Sequence, residues 1–142
     1  MTVKQLATFH VGGRYLGIEV SAVHEVIRYQ EITRAPLAPG EIRGLINLRG
    51  IIVVAIDLRR RMGLAVDDES APPMNVVIRT DDGLVSLLVD RIGDVLDVDE
   101  ELFEQPPETV QGEARDLIRG AYKLPDVLLL ELDIERTLEI AA

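Results

Sequence analysis

The sequence predicts an all-β fold with short helices, built as two similar barrels that share a core. Three observations predict it. The 17 residues Ile42–Leu58 (Ile-Arg-Gly-Leu-Ile-Asn-Leu-Arg-Gly-Ile-Ile-Val-Val-Ala-Ile-Asp-Leu) reappear 76 positions later, altered, as Ile118–Ile134 (Ile-Arg-Gly-Ala-Tyr-Lys-Leu-Pro-Asp-Val-Leu-Leu-Leu-Glu-Leu-Asp-Ile). Five positions are identical and six exchange one aliphatic residue for another, so each copy runs turn, apolar strand, acidic stop. A weaker echo aligns Tyr15–Ile27 with Leu84–Leu96 at a shift of 69, pairing Val20 with Val89 and Glu25 with Asp94. The third observation is that the apolar runs are short, aliphatic and separated by Gly and Pro turns, as in small barrels and sandwiches. The growth of the shift from 69 to 76 places about seven extra residues in the second half, assigned to the acidic stretch Asp97–Gln111. One domain over 1–142 is expected, with repeat halves of about 5–66 and 74–140.

In chain order, Leu6–His10 and Arg14–Val20 flank Gly12-Gly13, a dipeptide suited to the positive φ of a tight hairpin. Ser21 is read as the cap of a short helical turn through Val23, Val26 and Ile27. Pro36, Pro39 and Gly40 mark a loop. Ile51–Ile56 is apolar at both parities, as for a strand covered on both faces. Asp57 is placed to cap a helix over Leu58–Met62 that Gly63 ends, with three arginines near its negative C-terminus. The repeat places the same cap at Asp133, before a closing helix Ile134–Ile140. Asp67–Pro73 reads as a polar linker. The second half restarts as strand Asn75–Arg79, turn Asp81-Asp82-Gly83 and strand Leu84–Val89.

With 142 residues the chain can bury a substantial core, yet it has no Trp and only five Phe and Tyr, so aromatic stacking platforms for bases or sugars are not expected. No Cys is present, which removes disulfides, thiol nucleophiles and thiolate metal sites and fits a reducing cytosol. The N-terminus lacks a signal-peptide pattern, and the aliphatic run Ile51–Ile56 falls far short of the ~20 residues of a spanning helix, so no membrane insertion is expected. The net charge of −10 is uneven: residues 1–71 hold nine Lys/Arg and eight Asp/Glu, residues 72–142 six and seventeen. That balance repels phosphate and argues against nucleic-acid partners.

A search for chemistry finds none. No Gly-rich phosphate loop is present, since Gly12-Gly13 belongs to the hairpin. His10 and His24 are the only histidines and lack ligand spacing, so no metal site and no cofactor are expected. Asp97–Glu101 has the acidity of a calcium loop without its glycine and distal glutamate, and Asp99 reads as a helix cap. No serine sits in a nucleophile elbow. The chain is read as a non-enzyme.

The segment Ile42–Leu58 closely resembles the central signature of CheW-like domains, and Leu88–Leu96, Gln105–Glu108 and Leu117–Gly120 resemble that family's second half in the right order, covering residues 5 to 140. The sequence departs from the pattern at Val54, where many members have Pro. The resemblance implies two interlocked SH3-like five-stranded barrels. It implies a stand-alone cytoplasmic chemotaxis adaptor, recruited to membrane-associated receptor arrays, that links methyl-accepting chemoreceptor cytoplasmic tips to the regulatory domain of a CheA-type histidine kinase. It further implies receptor-binding positions at Val23, Glu25, Gly44, Leu48 and Arg49, with no kinase-contact residues assigned.

The duplication adds a distinction of its own: the acid at Glu25 recurs as Asp94, whereas Arg49 is matched by Pro125. A residue needed only by the repeated fold tends to recur, so Arg49 is a candidate for a task particular to the first half. Glu25 and Arg49 are expected to form an ion pair at the groove margin. Two other readings stay open: a different protein-interaction or small-ligand barrel, and a CheW-like adaptor serving pili or gliding.

Overall fold

The computed structural model describes residues 2–34, 37–64 and 72–139. Ten strands form two five-stranded sheets: β1 (Val3–Val11), β2 (Arg14–Glu19), β3 (Val23–Ile27), β4 (Ile42–Leu48), β5 (Ile51–Asp57), β6 (Met74–Thr80), β7 (Gly83–Val89), β8 (Arg91–Asp99), β9 (Ile118–Lys123) and β10 (Leu128–Leu132). One sheet has the order β8-β1-β2-β10-β9, the other β3-β6-β7-β5-β4. Moving every strand of the first order five places along the chain reproduces the second. The duplication is therefore real at the level of topology, but neither half makes a sheet alone: each contributes its first two strands to one sheet and its last three to the other. The halves interlock.

The shared features recur at repeat spacing. A backbone bridge joins Thr33 to Leu45 in one sheet and Glu104 to Ala121 in the other, linking the chain beyond β3 or β8 to the opposite edge strand. Each bridge passes over a glycine. A Cβ at Gly44 would collide with the Thr33 carbonyl, and one at Gly120 with the Glu104 carbonyl and the Phe103 ring, so close backbone approach explains why this glycine is repeated. Thr33 to Leu45 spans 12 positions and Glu104 to Ala121 spans 17, so five of the extra residues lie after the bridge, where α2 (Glu113–Asp116) forms. The inserted stretch thus extends past Gln111, and its beginning, Asp97–Asp99, is the end of β8.

Two further sequence expectations change. Residues Val23–Ile27 form a strand paired with β6, preceded by a single 3-10 turn at Val20–Ala22 without a side-chain cap. Val23, Val26 and Ile27 are β-branched and favour the pleated surface once a partner strand is available. Ile51 and Ile52 are exposed, because β7 pairs with β5 only from Val54 onward and the β4–β5 hairpin projects beyond it. Val54 sits in β5 between two neighbouring strands, opposite Leu45 of β4 and beside Val85 of β7.

The caps follow expectation. Asp57 accepts from the Arg60 amide at the start of α1 (Leu58–Arg61), and Asp133 from the Arg136 amide at the start of α3 (Ile134–Leu138). Asp99 likewise caps a 3-10 turn at Glu100–Leu102. Pro36, most of the Asp67–Pro73 linker and Ile140 lie outside the described residues. No helix among the described residues is long and apolar enough to cross a membrane.

Alternation along each strand sends one face to a core shared by the two sheets (Phe9, Leu16, Ile18, Ile56, Ile78, Leu87, Ile118, Leu130). The other face lines a smaller cluster inside each sheet: Ile46 and Val53 in one, and their repeat mates Tyr122 and Leu129 in the other. The helices join the halves. Arg61 and Thr137 are repeat mates, and Arg61 Nε donates to the Thr137 carbonyl at 2.9 Å while its Nη2 donates to the carbonyls of Arg136 and Glu139, neutralising the C-terminal end of α3. Arg59 also grips Asp90 through two hydrogen bonds of 3.1 and 2.8 Å, and Asp90 accepts the Gly12 amide at 2.8 Å. Burial alone would raise the Asp90 carboxyl, but these bonds and the charges of Arg59 and Arg91 outweigh it and hold it below the usual carboxylate range.

One core position breaks the symmetry. Ala55 is buried and apolar, while its repeat mate Glu131 is buried and charged. Lys4 Nζ reaches Glu131 at 3.0 Å and Glu19 at 3.1 Å, Arg119 reaches Glu131 at 3.3 Å, and the Tyr122 hydroxyl donates to it at 3.4 Å.

Candidate functional site

The β4–β5 hairpin turns on two residues, Arg49 and Gly50, with φ of 52° and 89°. Positive φ at both positions is the twist that matches a two-residue hairpin, and Asn-Gly is the sequence that meets it at least cost. Here an arginine occupies the first position, where the left-handed conformation of a non-glycine residue costs about 1–2 kcal/mol. Asn47 stabilises the turn by accepting the Gly50 amide at 2.8 Å. A strained, exposed arginine on a rigid hairpin is an observation that points toward function.

Glu25 reaches this turn from β3. The β3–β6 register slips by one residue between Val23 and Glu25, leaving His24 as the bulged residue. The β1–β8 pairing slips at the repeat-equivalent place, so the bulge belongs to the duplicated fold. In the first half it turns Glu25 toward Arg49, whose Nη2 donates to Glu25 Oε1. His24 Nε2 lies 3.6 Å from the same oxygen. In the second half Asp94 finds no such partner at the tip, because Pro125 replaces the arginine.

The five sequence-derived positions divide sharply. Glu25 and Arg49 meet, and the Arg49 side chain is 68% exposed. Gly44 lies beneath the Thr33 carbonyl, and Leu48 is buried in the cluster with Ile46, Val53 and Val77. Val23 is half-buried against the shared core. Gly44 and Leu48 therefore set the height and rigidity of the hairpin, while the groups open to a partner are the Glu25–Arg49 pair and the exposed apolar side chains Val26, Ile51 and Ile52. Sequence reasoning missed Asn47, His24 and the exposure of Ile51 and Ile52. The Asn at two residues before a turn Arg carried a readable signal for Asn47; the other two depend on strand register.

A separate cleft of about 470 Å³ is lined by Glu19, Arg119, Glu131, Asp133 and Glu135 among others. Of its carboxylates, Glu19 and Glu131 are engaged by Lys4 and Arg119 and Asp133 caps α3, and the cleft lacks the apolar enclosure that small-molecule sites present.

Because Asn-Gly is the preferred pair for this turn, Arg49→Asn is expected to leave the melting temperature unchanged or raise it, with a gain of up to about 1 kcal/mol, since an exposed ion pair contributes only ~0–1 kcal/mol. Thermal denaturation of both proteins checks this. A loss of more than about 1 kcal/mol would make the guanidinium a structural group.

Residues 5–142 match the family model described as CheW-like domain. The chain is 32% identical to "Chemotaxis protein CheW" of Bacillus subtilis (strain 168), over 97% of this chain and 88% of that protein. It is 30% identical to the protein of the same description from Treponema pallidum (strain Nichols), over 93% and 80%. Its fold superposes with a TM-score of 0.87 on the scaffolding protein TtCheW of Thermoanaerobacter tengcongensis, at 28% identity and covering 98% of this chain and 94% of that one. An interlocked pair of five-stranded sheets, a family model spanning nearly all of the sequence and relatives at this identity agree: the chain belongs to the CheW-like domain family of chemotaxis scaffold proteins.

Proposed function

We propose that this chain is a non-catalytic adaptor that couples the cytoplasmic tips of methyl-accepting chemoreceptors to the regulatory domain of a CheA-type histidine kinase, and so is recruited to membrane-associated receptor arrays. The observation that carries the receptor half of this reading is Arg49, held at positive φ at the tip of a hairpin and paired with Glu25, on strands that also expose Val26, Ile51 and Ile52. Such a surface suits a helical hairpin tip: aliphatic contacts supply burial and the guanidinium supplies register and specificity. Val23, Gly44 and Leu48 support it from below. Kinase binding is assigned to a different surface, since one adaptor holds both partners together.

Reconstitution tests the reading. Receptor cytoplasmic fragments, kinase and this chain are sedimented together with radiolabelled ATP; the expected result is a ternary pellet with enhanced kinase activity that depends on the chain, and no label on the chain itself. Failure to sediment with either partner, or stoichiometric phosphate on the chain, overturns it.

A further inference from the structure

The equivalent bridges at Thr33 and Glu104 align the segments before them, so Ile32 matches Phe103 and Glu31 matches Leu102. Ile32 and Phe103 do the same structural work, each covering a repeat glycine. Leu102 does not. It is 60% exposed at a position where the other copy places a solvated glutamate, so the fold has no need of a leucine there. Beside it the Phe103 ring is partly exposed, braced edge-on against Tyr122 with centroids 5.5 Å apart.

These two side chains lie in a groove of about 490 Å³ whose remaining lining is Glu101, Glu104 and Lys123. Lys123 is paired with Glu104 at 3.5 Å. Residues 97–116 carry eight acidic side chains against a single basic one, Arg115, and that guanidinium is spent on the carbonyls of Pro107 and Val110. The result is an apolar floor bordered by two carboxylates and one lysine, set in a strongly acidic segment where the second half departs from the first. Charge complementarity selects the occupant: an acidic segment repels anionic surfaces and nucleic acid and attracts cations, while the floor rewards burial of an apolar side chain.

We infer that the groove over Leu102 and Phe103 is a docking surface for a basic protein segment that seats an aliphatic side chain between flanking lysine or arginine residues. It is separate in sequence from the Glu25–Arg49 hairpin, and it stands or falls independently of the receptor reading.

The probe is a synthetic peptide of pattern Arg-Lys-Leu-Leu-Lys-Arg, titrated into the isotope-labelled chain and followed by amide chemical shifts, with a control peptide in which serine replaces both leucines. Shifts are expected to concentrate at residues 101–104 and Lys123. The serine peptide and the Leu102→Ser variant, which removes the apolar side chain from an exposed position without changing charge and so keeps the melting temperature, are each expected to bind at least about tenfold more weakly. Glu101→Lys provides a second variant, expected to weaken binding of the leucine peptide without altering the floor. Equal affinity for the two peptides, unchanged binding by both variants, shifts spread over the whole acidic face, or no shifts at millimolar peptide would each overturn the inference.

Discussion

Arg49→Glu is expected to abolish receptor-tip binding and receptor-dependent kinase activation while leaving the affinity for the isolated kinase regulatory domain within a few-fold of wild type. The physical reason is the isolation of the hairpin tip. Arg49 projects from a two-residue turn, and its contact with Glu25 is the one ion pair it makes in the structure described. Loss of an interfacial arginine costs about 2 kcal/mol or more, about 30-fold in affinity, and the substitution adds like-charge repulsion against Glu25. Exposed pairs contribute only ~0–1 kcal/mol to folding, so the variant should remain folded. Titration calorimetry against each partner separately is the measurement. The receptor interaction of the native chain should also weaken as salt rises, because the screening length falls from ~10 Å at 0.1 M to ~3 Å at 1 M. Equal loss of both affinities would mean one shared surface and defeat the assignment of two.

The second large effect concerns the interior. Lys4→Met removes the ammonium that neutralises buried Glu131, leaving the carboxylate with Arg119, which is half exposed, and the Tyr122 hydroxyl. Breaking one side of a buried pair costs 3–5 kcal/mol, and the slight exposure of Lys4 favours the lower end, about 3 kcal/mol. For a chain of this size that corresponds to a fall in melting temperature of about 10 °C. The double variant Lys4→Met/Glu131→Leu should recover most of the loss, because an apolar pair restores what Ala55 already achieves in the other sheet. If the double variant is as unstable as the single one, the network carries the fold by itself.

The same pair makes an alkaline prediction. Burial would lower the Lys4 ammonium, but its hydrogen bonds to Glu131 and Glu19 and their charges outweigh burial and raise it above its ordinary value. A folded-state value above the unfolded one contributes stability that is fully present below ~10.4 and is lost as pH rises through the folded value. Tyr122 is raised too, by burial and then by the charge of Glu131, and acts in the same direction. The difference between wild type and Lys4→Met in denaturant melts should therefore shrink above pH ~10.4.

The sequence by itself determined the duplication, the all-β class and the caps at Asp57, Asp99 and Asp133. These are local or periodic properties: a cap needs only three residues, and a repeat needs only its own two copies. The tertiary structure decided the rest. Whether Val23–Ile27 became helix or strand depended on β6 arriving from the other half, since β-branched residues take the strand when a ladder is offered. Whether Ile51 and Ile52 were covered depended on where β7 begins to pair, more than thirty residues along the chain. Whether Leu102 and Phe103 faced core or solvent depended on the bridge at Glu104. Burial is set by partners distant in sequence, and an apolar side chain carries no mark of whether its partner lies within its own chain or in another protein.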